Sequence, residues 1–192
     1  MEKLKIKAVL GSVREGRSAD KVWEWLDKQL KQVENFDVEL LDLKAINLPL
    51  FNENGHPAAG GAHETEAART WSAKMAGADG YIIITPEYDH SMPGSLRNAF
   101  DYLANEWKKK PVGIVSYGAA AGGSRAAESM KASLTYMETV IIPAEVNISN
   151  IWAAFDEKGD LPDNYLAAAK NMFAGLEWWA TLLHDARAKL SK

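Results

Sequence analysis

A doubly wound α/β sheet with parallel strands is the fold class this sequence predicts. Short apolar runs alternate with amphipathic helical patterns along the chain, and the middle run, YIIIT, is apolar at every position, as expected of a strand covered on both faces. No repeat or low-complexity tract interrupts the alternation. A length of 192 residues suits one domain, spanning 1–192, with an ample core.

The elements follow in order. Leu4–Leu10 reads as a strand, and Val22, Trp25, Leu26, Leu30 and Val33 then share one helical face. Phe36–Leu43 reads as the second strand, followed by a loop with the breakers Pro49, Gly55, Pro57, Gly60 and Gly61. Glu64–Ala76 is a helix with Trp71 and Met75 one turn apart, closed by Gly77, and Tyr81–Thr85 is the third strand. Pro93 opens a helix with Leu96, Ala99, Phe100 and Leu103 on one side, for which Ser91 is the candidate cap. Pro111–Tyr117 reads as strand four, Ala121–Glu138 as a helix and Thr139–Val146 as strand five. A last helix, Asp163–Leu190, carries a stripe of Leu166, Ala169, Phe173, Leu176, Ala180 and Leu183. Right-handed crossovers between these strands give the flavodoxin-like five-stranded parallel sheet, order 2-1-3-4-5, with its ligand crevice outside the carboxyl ends of the strands, at the switch point between strands one and three.

Composition removes several classes. A formal charge of −4 lacks the basic stripe of a nucleic-acid binder. The absence of cysteine removes disulfides, thiol redox chemistry and cysteine metal sites. No run approaches the roughly 20 apolar residues of a membrane span, and the N-terminal apolar run is too short for a signal peptide, so a cytoplasmic protein is expected. His56 and His63 share a loop without carboxylate or cysteine partners at ligand spacing, so no metal site is expected. Lys108–Lys110 reads as a solvated charge run, and His184 as surface or core filler. His90 sits in the crevice motif, where a substrate or subunit contact competes with a plain loop role. Trp178 and Trp179, being adjacent, face different sides of the last helix, and a subunit interface is one use for them.

Two loops carry the chemistry. GSVREGRSADKV, after strand one, places Ser12, Arg14, Arg17 and Ser18 at a helix N-terminus, where free N–H groups and positive partial charge attract phosphate. Arg14 can clamp a phosphate in bidentate fashion and Arg17 can join it. The glycine spacing is that of a P-loop, but Arg17 fills the lysine slot and no Walker-B-like strand follows; the dinucleotide fingerprint is missing too. An ordinary Gly/Ser-rich turn is the competing reading. After strand three, TPEYDHSMPGSLRNAFDYL stiffens the crevice with Pro86 and Pro93, and backbone groups of Pro86, Glu87, Tyr88 and Asp89 can meet the polar edge of a planar ring. SYGAAAGGSRAAE, after strand four, leaves room for a flat ring or simply makes a tight turn with close helix packing.

GSVREGR, PEYDHSMPGSLRNAFDYL and SYGAAAGGSRA together resemble the NADPH-dependent FMN reductase family, which includes quinone- and chromate-reducing members. The resemblance implies a flavodoxin-like fold, bound FMN, NADPH or NADH as co-substrate, and a homodimer or homotetramer. It implies that Ser12, Arg14, Arg17 and Ser18 hold the FMN phosphate, that Pro86, Glu87, Tyr88 and Asp89 border the isoalloxazine, and that Ser116, Tyr117 and Gly118 complete the pocket. Family members usually carry asparagine at Asp89, and many near Asp20. A flavin carries the chemistry itself, so no catalytic side chain is assigned. The expected reaction is ping-pong hydride transfer to a small acceptor: quinones first, then free flavins, azo dyes and chromate. A flavodoxin-type electron carrier and a flavin-binding sensor without substantial turnover are the competing readings.

Overall fold

The computed structural model describes residues 2–59 and 63–190; the predicted breakers Gly60 and Gly61 lie outside them. The strands are β1 (Leu4–Leu10), β2 (Phe36–Asp42), β3 (Gly80–Pro86), β4 (Pro111–Tyr117), β5 (Val140–Ile141) and β6 (Val146–Ile148). The helices are α1 (Ala19–Leu30), a single turn α2 (Leu43–Ile46), α3 (Glu66–Ala76), α4 (Gly94–Asp101), α5 (Ser124–Tyr136) and α6 (Asp163–Leu190). The sheet runs β2-β1-β3-β4-β5, with β6 also paired to β4 and every pairing parallel. This is the flavodoxin-like order.

The two faces of the sheet are filled by alternation. Ile82, Ile84 and Val115 meet Val22, Trp25 and Leu26 of α1 and Met172, Phe173 and Leu176 of α6. Tyr81, Ile83 and Ile114 meet Trp71 of α3, Leu96 and Phe100 of α4 and Met130 of α5. All seven residues of β3 are buried, as its apolar run requires. Parallel register brings Leu10 beside Ile84, Pro86 beside Tyr117, and Tyr117 beside Ile148, so β1, β3, β4 and β6 end at one edge.

Several predicted elements shift. The fifth strand is two short pieces rather than one run over Thr139–Val146, because Pro143 between them has no N–H for a ladder. α5 starts at Ser124, not Ala121, because Gly122 and Gly123 take positive φ of 61° and 82°. A Cβ on Gly123 would lie 2.6 Å from the Tyr117 amide nitrogen, and one on Gly122 would lie 2.7 Å from the Asn147 carbonyl oxygen, so this loop packs directly onto the strand ends. Thr65 caps α3, its side chain accepting from the Ala68 amide, which moves the helix start from Glu64 to Glu66. Ser91 is not the cap of α4; Pro93 holds that place without a side-chain bond, and Ser95 Oγ donates to the Gly11 carbonyl at 2.6 Å.

The amino edge of the sheet carries a polar clamp that the sequence did not announce. Asp79 accepts from the Lys5 amide at 3.0 Å, from Arg187 Nη2 at 3.0 Å, and shares a 2.7 Å contact with His184 Nδ1. His184 is therefore a tether for α6 rather than filler. Burial alone would raise the Asp79 carboxyl, but His184 and the Lys5 amide, with the Arg187 charge, hold it below the usual carboxylate range. Lys110 is not part of a solvated run: it is 6% exposed, and its ammonium donates to the Ala76 carbonyl at 2.9 Å and the Tyr81 hydroxyl at 3.2 Å. Burial, with the Arg187 charge, pulls it down to about 8, against the opposing pull of Asp79 and Glu106.

A lysine depressed in the fold binds fewer protons there than in the unfolded chain. Its penalty is complete below pH 8 and fades as pH rises toward its unfolded value, so stability increases over that window. In urea unfolding, the stability of the protein relative to Lys110→Met should rise by roughly 1–3 kcal/mol between pH 8 and pH 10; the comparison cancels the opposing loss from Tyr81, Tyr102 and Tyr117, whose phenols are raised in the fold.

Candidate functional site

The carboxyl edge of the sheet gathers the predicted residues. The chain leaves β1 through Gly11, whose amide donates to the Ile84 carbonyl at 2.9 Å. A Cβ there would meet that oxygen and Leu96 at 3.2 Å, so the loop crosses β3 and α4 at near contact. From residue 12 to 18, no backbone amide makes a hydrogen bond of good geometry with a described residue. Ser18 occupies the cap position of α1 but its side chain makes no cap bond, so the first-turn amides of that helix stay open as well. Gly16 makes the turn at φ 62°.

The two arginines differ. Arg17 is 6% exposed at its side chain and is fully engaged: Nη1 and Nη2 each donate to an Asp42 oxygen at 2.7 Å, Nη1 also donates to the Ser12 carbonyl, and Nε and Nη2 donate to Asp20. The Asp42 hydrogen bond raises the Arg17 guanidinium further above its ordinary range. Burial works against ionisation of Asp42, yet Arg17 and the Lys44 amide hold its carboxyl low. Arg17 therefore shapes the loop from beneath. Arg14 is exposed and makes no ion pair with a described residue. Asp20, where an asparagine was expected, is an acceptor for Arg17, a task a carboxylate performs at least as well as an amide.

Tyr88 joins the two crevice loops: its hydroxyl and Ser12 Oγ share a 2.9 Å hydrogen bond, and Ser12 is completely buried. Tyr117, at the end of β4, is 4% exposed; its hydroxyl makes no hydrogen bond of good geometry with a described residue, although it lies close enough to Ser12 to feel that hydroxyl. Burial, with the nearby Tyr88, raises that phenol well above its ordinary range, so it stays protonated as a donor. Ser116 is buried and closes the neighbouring loop by donating to the Gly122 carbonyl at 2.8 Å.

Beyond β3, Tyr88 and Ser91 exchange backbone hydrogen bonds of 3.0 and 2.9 Å around Asp89 and His90, both at positive φ of 49° and 64°. This is a two-residue turn of the kind that favours Asn-Gly. Asp89 takes the left-handed conformation for the same reason asparagine does, so the backbone survives the exchange. The predicted ring-edge donors narrow: the Glu87 amide is engaged with the Tyr117 carbonyl and the Tyr88 amide with Ser91, Pro86 has none, and Asp89 and His90 keep theirs open among the described residues. Glu87 Oε1 accepts from Arg125 Nε at 2.7 Å, and that pairing holds its carboxyl low despite burial. The Gly118 amide donates to Ile148, while those of Ala119, Ala120 and Ala121 are unmatched among the described residues.

These features suit a mononucleotide: acceptor-free amides, Arg14 and a helix N-terminus for a phosphate, the buried Tyr117 hydroxyl near Ser12, and two loop tips with open amides for a flat heterocycle. The fold and this edge thus define a nucleotide-binding flavodoxin-like domain. The chain belongs to the NADPH-dependent FMN reductase family, whose sequence profile matches residues 4–153; the family comprises flavin oxidoreductases that use FMN with NAD(P)H as electron donor. An NAD(P)H-dependent FMN reductase of Schizosaccharomyces pombe is 39% identical over 125 residues, which make up 65% of this chain and 62% of that protein. The match thus spans a little under two thirds of that relative's length. A quinone reductase of Pseudomonas putida is 28% identical over 179 residues, covering 88% of this chain and 92% of the relative. The flavoenzyme NAD(P)H:(acceptor) oxidoreductase FerB of Paracoccus denitrificans superposes with a TM-score of 0.71 at 25% identity, over 93% of this chain and 98% of its own.

The strained turn is open to test. His90→Gly removes a side chain from the second left-handed position and should stabilise the protein by up to about 1 kcal/mol in urea unfolding.

Proposed function

We propose that this chain is an FMN-dependent NAD(P)H oxidoreductase that reduces quinones or similar small acceptors by ping-pong hydride transfer, and that residues 1–192 act as one FMN-binding domain. The observation that carries the reading is the run of open amides over 12–18 at the sheet's switch point, with the buried Tyr117 hydroxyl at the same edge. Relatives named as FMN and quinone reductases support it.

Arg14, Ser12, Ser18 and the α1 N-terminus would hold the phosphate, with Arg17 fixing the loop through Asp42. The bend from Pro86 to Asp89 and the strand end at Ser116, Tyr117 and Gly118 would border the isoalloxazine. FMN, when bound, supplies the group that accepts a hydride from NADPH or NADH and gives it to the acceptor. The open amides at the loop tips would then stabilise negative charge on the ring edge. The chain's own side chains need move no proton, so none is assigned a catalytic role. A cytoplasmic homodimer or homotetramer is the working form expected from the family. Among the described residues, no helix is long and apolar enough to cross a membrane.

The purified protein should be yellow or take up FMN in equimolar amount, bleach on adding NADPH, and consume NADPH continuously with a quinone. A colourless preparation that refuses excess FMN would overturn the reading; bleaching without turnover would leave a carrier or sensor. Arg14→Ala should weaken FMN retention about tenfold or more through loss of a charge-assisted contact. Initial rates should give parallel double-reciprocal lines, since donor and acceptor use one site in turn.

A further inference from the structure

We propose that Trp152 is the residue on which a flat, uncharged acceptor stacks, and that it selects quinone-like rings over anionic acceptors. The inference rests on the flavin-reductase reading above and assigns its acceptor class.

Trp152 lies in the turn Ile151–Ala153, immediately beyond β6, at the same edge of the sheet as Tyr117. It is 78% exposed. Its backbone is nevertheless fixed from both sides. The Asn150 amide donates to the Ala119 carbonyl and the Ile151 amide to the Gly118 carbonyl, both at 3.0 Å, while the Gly118 amide donates back to Ile148 at 3.2 Å. Ser149 adds a bond from its amide to the Tyr165 hydroxyl and one from its own hydroxyl to the Ala120 carbonyl. Ile151 is buried beneath, and Phe155 packs on the core. With its backbone fixed, the tryptophan has only two side-chain torsions left to order when a ring lies on it.

Its surroundings state which ring. Ala119, Ala120 and Ala153 are exposed beside Trp152, and the exposed Asn150 next to them is polar but uncharged. Neither 111–124 nor 146–155 contains Asp, Glu, Lys, Arg or His. The nearest cation on that loop, Arg125, is paired with Glu87. A neutral planar molecule meets a complementary surface there; an oxyanion meets no unpaired charge on these two segments. Stacking matters more for the acceptor than for the nicotinamide, because the dinucleotide brings phosphates and a second ring system as further handles, whereas a quinone has only its ring.

The test uses the full-length protein with FMN bound. Trp152→Ala should raise KM for menadione about tenfold with kcat little changed, the pattern of a lost ground-state contact. Trp152→Phe should recover most of it. The rate with ferricyanide, an octahedral anion that cannot stack, should be unchanged in both variants, as should FMN content. Equal menadione KM in wild type and Trp152→Ala overturns the proposal, as does a parallel loss with ferricyanide. So does a drop in sedimentation mass with no menadione effect, which would make Trp152 a contact with a second copy of the chain. Failure of the flavin reading itself would show in the wild type, as no FMN and no turnover with either acceptor.

Discussion

The guanidinium of Arg17 is the fixture on which the site depends. It lies under the first crossover, bonded in parallel to both oxygens of Asp42 at the end of β2, to Asp20 in the first turn of α1, and to the carbonyl of Ser12. Planar, permanently charged and nearly out of water, it meets the geometry that lets an arginine bind two carboxylates at once. The result is that the loop's own polar needs are met on its carbonyl side while its amides stay open. A lysine could neutralise one carboxylate but could not span Asp42, Asp20 and a carbonyl from one plane.

Much of the fold was legible because burial on both faces of β3 and one-sided burial of the helices leave different hydrophobic periods, and the order of the sheet follows from crossover handedness. What could not be read was settled by tertiary contacts. Pro143 splits the last strand, and the decision to pair both halves with β4 belongs to the sheet. Gly122 and Gly123 fall inside the expected helix Ala121–Glu138, but their positive φ and their approach to Tyr117 and Asn147 make them the close packing of a turn onto strand ends. Lys110 ends a run of three lysines and yet is buried, since the hydroxyl of Tyr81 and the carbonyl of Ala76 come from elsewhere in the chain.

The site was legible as a place and less so as a set of roles. Ser12, Tyr88 and Tyr117 meet at one edge, as the loops' positions along the chain imply. Arg14 and Arg17 look alike in sequence, and only the carboxylate of Asp42, brought alongside by strand pairing, separates the exposed one from the structural one. Glu87 and Tyr88 give their amides to the fold, leaving the tip residues as donors. Trp152 is one tryptophan among seven in the sequence, and it stands out by its exposure on a constrained turn.

If the ledge around residues 119 and 152 receives the acceptor, cofactor and acceptor would also differ in their response to salt. The phosphate of a mononucleotide cofactor would approach a crevice whose exposed Arg14 projects a field over a Debye length of roughly 10 Å in 0.1 M salt. A neutral ring arriving at the alanine shelf feels little of that field and is drawn in by loss of water instead, a force that strongly excluded salts strengthen. Raising salt would then loosen the hold on the cofactor's phosphate while an excluded salt tightens the hold on a neutral ring.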